Sequence, residues 1–164
     1  MIDSILAQLG LTLRLARNED KEMLFQWRNM DEIVALGSTQ RCVTWEEHSL
    51  WFDQALRGKL ITLFLVEANE VPIGLVRFDA KGKHGCIIST YLIPGETGKG
   101  RGVVIIQEAC IRAVTAWRHL QWVEANIRYD NLRSVKAFKR AGFIPSTEQS
   151  RELPDDHVSP RWCP

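Results

Sequence analysis

The sequence predicts one α/β domain over residues 1–164, with a mixed, mostly antiparallel central sheet flanked by helices. Three observations carry this. "KLITLFLVEA", "VPIGLVRFD" and "HGCIISTYLIP" are apolar, β-branched runs divided only by Asn69-Glu70 and by "AKGKHG", so they read as an antiparallel meander. "LTLRLA" before them and "LQWVEANI" after them have the pattern of two further strands. Between and beyond these lie helical runs with their own start and stop signals. The length and the ordinary apolar fraction of 45% suit a single packed core.

In chain order, Leu11 to Ala16 alternate as a half-buried strand. "RNEDKEMLFQWRN" follows as a helix, with Asn18 as expected N-cap and Glu19, Asp20 and Glu22 at the positive end of its dipole. Thr44 and Glu47 form a capping box for a second helix, "TWEEHSLWFDQAL", closed by Gly58. After the meander, Val103, Ile106, Cys110, Val114 and Trp117 recur at helical spacing and mark the longest helix. "DNLRSVKAFKRAGF" is the last helix, capped by Asn131 or Asp130 and ended by Gly142. The order is β, α, α, β, β, β, α, β, α.

Composition narrows the function classes. A formal charge of +1 gives no global field for nucleic acid, and no apolar run reaches membrane-spanning length. The amino terminus lacks a basic segment and an apolar core, so the expectation is a soluble, cytoplasmic protein with neither nucleic acid nor membrane as partner. Cys42, Cys86, Cys110 and Cys163 lack metal or disulfide spacing and are expected as buried, reduced thiols, with no metal.

"ETGKGRGVV" stands between the meander and the longest helix. It is not a Walker A loop, because Gly100 follows Gly98-Lys99 where Ser or Thr must hold magnesium, and Ile93 occupies the first glycine position. Nor is Gly98, Gly100, Gly102 a dinucleotide fingerprint, since the spacing is G-x-G-x-G and the preceding strands form a meander. What remains is either a bare tight turn or a loop whose backbone amides face an anion at a helix N-terminus.

"YLIPGETGKGRGVVIIQEA" resembles the acetyl-CoA motif of the Gcn5-related N-acetyltransferase (GNAT) family, and "NLRSVKAFKRAGF" resembles its companion Asn-x-x-Ser motif. The resemblance runs from Leu11 to Phe143. It implies a sheet splayed at the coenzyme site, with acetyl-CoA as acetyl donor and a pyrophosphate held by the amides of Gly98, Lys99, Gly100, Arg101 and Gly102, with Val103 opening the helix. It also implies coenzyme contacts from Leu92, Ile93, Thr97, Asn131, Ser134 and Phe138, and an oxyanion-polarising amide near Leu92. Two positions depart from the family pattern: Thr97 replaces a Gln or Arg, and Phe138 replaces a tyrosine that donates a proton in many relatives. Tyr91, Tyr129 or water then substitutes, or the thiolate leaves unprotonated. Glu124 is the expected base, acting through water, with Glu46, Glu47 and His48 as alternatives.

"FQWRNMDEIV" and "TWEEHSLWFDQAL" resemble the branch of the family that acetylates the 4-amino group of nucleotide-linked amino sugars, as in the pseudaminic acid pathway. This small-molecule acceptor implies substrate contacts from Arg28, Asn29, His48, Trp51 and Arg77: a fork for phosphate, a polar donor or acceptor, and a stacking face. Two other readings stay open, an acetyltransferase for ribosomal-protein amino termini and a non-catalytic acetyl-CoA-binding domain. At the carboxyl end "TEQSREL" supplies one strand. A final strand at "HVSPRWC" is either a short, proline-broken edge or is contributed by a second copy in a homodimer.

Overall fold

The computed structural model describes residues 2–146 and 156–164. Its elements are α1 (Ile2–Gln8), β1 (Leu11–Leu15), α2 (Lys21–Arg28), α3 (Asp31–Leu36), α4 (Trp45–Arg57), β2 (Ile61–Ala68), β3 (Val71–Lys81) and β4 (Gly85–Leu92). They continue with α5 (Arg101–Ala116), β5 (Trp122–Ala125), β6 (Ile127–Arg128), α6 (Leu132–Arg140), β7 (His157–Val158) and β8 (Arg161–Trp162). The main sheet has the order β1-β2-β3-β4-β5-β8, and β6 pairs with β7 in a separate two-stranded sheet. Every pairing is antiparallel except β4 with β5. The mixed, mostly antiparallel sheet is therefore the one the sequence predicts.

Apolar alternation along the strands divides the core between the two faces of this sheet. Phe64, Val66, Val76, Phe78 and Ile88 pack with Ile105, Ile106, Ala109 and Cys110 of α5 and with Phe138 of α6. Leu63, Leu65 and Leu75 on the other face pack with Leu24 and Trp27 of α2, Ile33 of α3 and Phe52 of α4. Cys86 and Cys110 are buried free thiols, and burial pushes Cys86 up to about 12. Cys42 and Cys163 are exposed, contrary to expectation.

The helix ends show where local chemistry was legible. Thr44 accepts from the Glu47 N–H and Glu47 reaches back to the Thr44 N–H, so the capping box forms as expected. Asn131 Oδ1 accepts from the Ser134 N–H at 3.2 Å. At the far end of α6, Phe143 N–H reaches the Phe138 carbonyl and Gly142 N–H the Lys139 carbonyl, with Gly142 at φ 101°. This is a Schellman closure, and its apolar clasp is the edge-to-face pair of Phe138 and Phe143, 4.9 Å between centroids. Asn18 is not the cap of α2. Asn18–Asp20 form a 3-10 turn, and Asp20 accepts the Arg17 N–H at 2.7 Å while the Arg14 fork grips it at 2.8 and 2.9 Å. The helices α1 and α3 were not anticipated.

The carboxyl end completes the sheet within the same chain. Pro160 splits the expected final strand into β7 and β8, because it has no N–H to continue a ladder. Its carbonyl accepts the Ala125 N–H at 3.0 Å, and beyond that point β7 runs with β6. The strand expected at "TEQSREL" lies outside the described residues.

Glu124 belongs to this frame and does not face the cleft described below, which corrects its expected role as base. It is fully buried, with Oε1 taking the Lys81 ammonium and Oε2 the Arg161 guanidinium, each at 2.9 Å. Arg161 also lies over the Trp122 ring at 4.6 Å. Burial pushes the Glu124 carboxyl up, but the two cations outweigh it and hold the group below its ordinary 4.5. A depressed carboxylate stabilises the fold above its unfolded pKa and loses that contribution as pH falls through the folded one. Glu124→Gln removes the buried carboxylate charge that Lys81 and Arg161 share and is expected to cost roughly 2–3 kcal/mol at pH 7. In thermal melts the gap between wild type and variant should close below pH 4.5; an unchanged melting temperature at pH 7 would refute this role.

Candidate active site

The site grows from the parting of two strands. β4 and β5 pair only from Gly85 with Trp122 to Ile88 with Ala125, whereas β4 stays paired to β3 as far as Leu92 with Gly74. Antiparallel hydrogen bonds alternate along a strand. Ile93 N–H donates to the Ile73 carbonyl at 2.9 Å, which sets that alternation. The main-chain groups of Thr90 and Leu92 therefore turn away from β3, toward the side β5 has left. An extended chain with amide and carbonyl groups can pair there, and the Leu92 amide is aimed at an incoming carbonyl oxygen. Ile93, one residue on, has spent its N–H on β3 and packs its side chain with Trp51 against the second core cluster, so it does not line the opening.

A cleft of about 1790 Å³ follows this opening, more than one small ligand fills. At one end Gly98 and Gly100 have φ of 79° and 74°; Gly100 is the N-cap of α5, which opens at Arg101, two residues earlier than the expected Val103. That backbone favours glycine, and nothing within 4 Å occupies the place of a Cβ at Gly98, Gly100 or Gly102. The result is an open concavity at the N-terminus of a 16-residue helix, suited to an anion. Thr97, Lys99, Arg101 and Val103 line the same end, and Asn131, Ser134 and Phe138 line the wall contributed by α6. Glu96 was not anticipated: its Oε2 takes both Lys99 at 3.0 Å and Arg101 at 2.6 Å. Those two cations are thus held at the rim by a carboxylate that an anionic ligand must compete with. The i,i+3 spacing of Glu96 and Lys99 was the available signal.

At the other end the cleft reaches Arg28, His48, Trp51, Arg77 and Tyr91. His48 is buried among Phe25, Trp51 and Phe52. Its Nε2 donates to the Lys21 carbonyl at 2.8 Å, so Nδ1 is the bare nitrogen of the neutral ring. Burial pushes its pKa down, and the nearby Lys21 and Arg28 charges push the same way against the Lys21 carbonyl bond. Trp51 does not offer the open stacking face expected, because the Arg77 guanidinium lies 5.0 Å from its ring centroid. Arg77 Nη2 donates to Asp79 at 2.6 Å and Arg28 Nη2 reaches Thr39 at 3.4 Å. Yet among the described residues Arg28 Nη1, Trp51 Nε1 and Arg77 Nε are buried with no hydrogen-bond partner. All three are donors.

Asn29 does not join them. Its amide is closed on Val43, donating to the carbonyl at 3.0 Å and accepting the N–H at 2.8 Å, which fixes the segment entering α4. Tyr129 is exposed and does not line the cleft, whereas burial raises the Tyr91 phenol and keeps it protonated. Phe138, 4% exposed, fills the wall where it can give no proton. Among the described residues no group of His, Cys, Asp or Glu is arranged to hold a metal ion, and no helix is long and apolar enough to cross a membrane.

No curated protein matches the chain by sequence. Its fold is similar to that of the aminoglycoside acetyltransferase AAC(6')-Ib in complex with ribostamycin and coenzyme A, at a TM-score of 0.79 and 19% identity over 94% of this chain and 93% of that one. It is also similar to spermidine N-acetyltransferase from Vibrio cholerae in complex with CoA and spermine, at 0.78 and 19% over 93% of each chain. A third similar structure is the N-acetyltransferase PseH of Campylobacter jejuni in complex with acetyl coenzyme A, at 0.69 and 18% over 93% of this chain and 98% of that one. At these identities the likeness is one of fold. Residues 10–144 match the family model described as an acetyltransferase (GNAT) domain. The strand order, the parted β4 and β5, and the glycine-capped α5 agree with that match, and the chain belongs to the GNAT family of N-acetyltransferases.

Proposed function

We propose that the chain transfers the acetyl group of acetyl-CoA to an amine on a phosphate-bearing acceptor, the 4-amino group of a nucleotide-linked amino sugar. The observation that carries the acceptor class is the set of unpartnered buried donors, Arg28 Nη1, Trp51 Nε1 and Arg77 Nε, at the end of the cleft away from the glycine loop. A buried donor without an acceptor costs about 1–3 kcal/mol, and a phosphate or sugar oxygen removes that cost on binding. Ribostamycin and spermine, present in two similar structures, are polyamines. Such acceptors bring more donors and positive charge, which two guanidinium groups repel. Cationic side chains also outnumber carboxylates along the cleft, which disfavours a basic peptide.

The donor half fits the coenzyme. The pyrophosphate lies on the amides from Gly98 to Gly102, with Thr97, Lys99 and Arg101 around it, after Lys99 and Arg101 exchange Glu96 for phosphate oxygens. Asn131 keeps its Nδ2 for the coenzyme, since only Oδ1 is spent on the helix. The pantetheine arm pairs with the free edge of β4. The neutral amine attacks the thioester carbonyl carbon, the Leu92 N–H steadies the oxyanion, and the C–S bond breaks. Tyr91 is the cleft phenol able to protonate the departing thiolate.

Gly100→Glu fills the cradle with a side chain and a negative charge. Calorimetric titration with CoA is expected to show binding weakened by about 100-fold or more; retained affinity would sink the coenzyme assignment. For the acceptor, initial rates are compared across a UDP-linked 4-amino sugar, ribostamycin, spermidine and a basic peptide. The UDP sugar is expected to have the highest kcat/KM. With it, Arg28→Ala should raise KM roughly 10- to 100-fold with a smaller change in kcat. Preference for spermidine or the peptide would overturn the acceptor class and leave the transferase intact.

A further inference from the structure

The cleft is lined by a second imidazole, that of His157 on β7, a strand that carries none of the site residues discussed so far. β7 sets His157 beside Arg128 of β6, and His157 lines the cleft. Its side chain is 5% exposed, while that of the adjoining Asp156 is 52% exposed. His157 Nδ1 lies 2.7 Å from Asp156 Oδ1. An ionised carboxylate only accepts, so Nδ1 carries the ring proton and Nε2 is left as the basic nitrogen. Among the described residues Nε2 has no hydrogen-bond partner. The pair thus spans the wall, with a base inside and its carboxylate in solvent.

The other bases of the cleft are less suited. His48 is ringed by aromatic side chains and pushed toward the neutral form, so it holds a proton poorly. Glu47, Asp79, Glu96 and Asp130 are each in an ion pair. Glu32 on α3 lines the cleft, and among the described residues it has neither an ion-pair partner nor a second group to orient it. The charges facing His157 are Asp156 and, across β6, Asp130 and Arg128. Arg128 is closed on Asp130 by a fork of 3.1 and 2.6 Å, and the carboxylate within hydrogen-bond reach of the ring is that of Asp156.

We propose that His157 is the general base of the acetyl transfer, oriented by Asp156. The inference rests on the amine-acetylating reading above and not on the identity of the acceptor. His157 Nε2 takes one proton from the bound ammonium group and frees the nitrogen lone pair. That lone pair forms the C–N bond at the thioester carbonyl, and the C–S bond breaks with its electron pair on sulfur. The second proton of the nitrogen goes to the thiolate, through Tyr91 or water. The imidazolium, steadied by Asp156, releases the first proton to solvent. The sum is one ammonium and one thioester converted to one amide, one thiol and one proton.

The test follows CoA release by thiol titration from pH 5.5 to 9, using whichever amine of the four-member panel turns over fastest. In the wild type kcat/KM should fall on the acid side through a single ionisation. His157→Asn should lose that limb and lower kcat roughly 100-fold or more, with CoA affinity and melting temperature unchanged. Asp156→Asn should lower kcat less than His157→Asn does, because the ring keeps its Nε2 and loses only the carboxylate acceptor that fixes its tautomer. An acid limb that persists in His157→Asn, or that disappears in Glu32→Gln, overturns the proposal. An acceptor-free arm uses nitrogen-15 NMR of the wild type at pH 8. An Nε2 resonance of the unprotonated type is expected, and an Nε2–H tautomer overturns the proposal even where no panel amine is turned over. Turnover of spermidine alone, with the His157 limb intact in the wild type and lost in the variant, would remove the nucleotide sugar and keep the base.

Discussion

Everything at the site depends on where β5 stops following β4. The parallel contact lasts from Gly85 to Ile88 on one strand and from Trp122 to Ala125 on the other. A strand edge left without a neighbour normally needs water or another strand to satisfy its amides. Here the unpaired edge opens into a cleft, so its amides are held by β3 on one side and presented on the other. The cause lies across the sheet. Pro160 gives a carbonyl to Ala125 and has no N–H to extend the ladder, and past it β6 turns to β7. A proline near the chain end thus helps to shape the gap next to Leu92.

Glu124 anchors the rigid side of that gap. Its two ion pairs join the end of β3 to β8 across β5, and Trp122 lies beneath the Arg161 guanidinium. A buried charge so fully compensated holds geometry and has little reason to exchange protons. At the anion end the logic is reversed. Glu96 balances Lys99 and Arg101 at a partly exposed rim, where an ion pair contributes little and is easily exchanged for phosphate.

Much of this was legible because it is local. The Thr44–Glu47 box, the Asn131 cap, the Gly142 closure and the helix after the three glycines each depend on residues within a few positions of one another. The meander and the coenzyme-loop motif were readable for the same reason. Errors arose where parity or distance decided. Leu92 and Ile93 are neighbours in sequence, yet strand alternation gives one amide to the gap and the other to β3. Asn29 looked like a substrate ligand because it follows Trp27-Arg28, but its amide is complementary to the backbone of Val43.

The sequence by itself determined the α/β class, the order of the main strands and of α2, α4, α5 and α6, the glycine loop with its helix, and the family. These follow from periodicity, caps and a contiguous motif, which act over short stretches of chain. Only the tertiary structure decided that Glu124 is sealed between Lys81 and Arg161 and that Trp51 is covered by Arg77. It alone set the unpartnered donors of Arg28, Trp51 and Arg77 at one end of a cleft and turned His157 into its wall. Those facts rest on which side chains meet across the sheet, through contacts between residues tens of positions apart. No local pattern encodes them, because burial and pairing are settled only when the whole chain has packed.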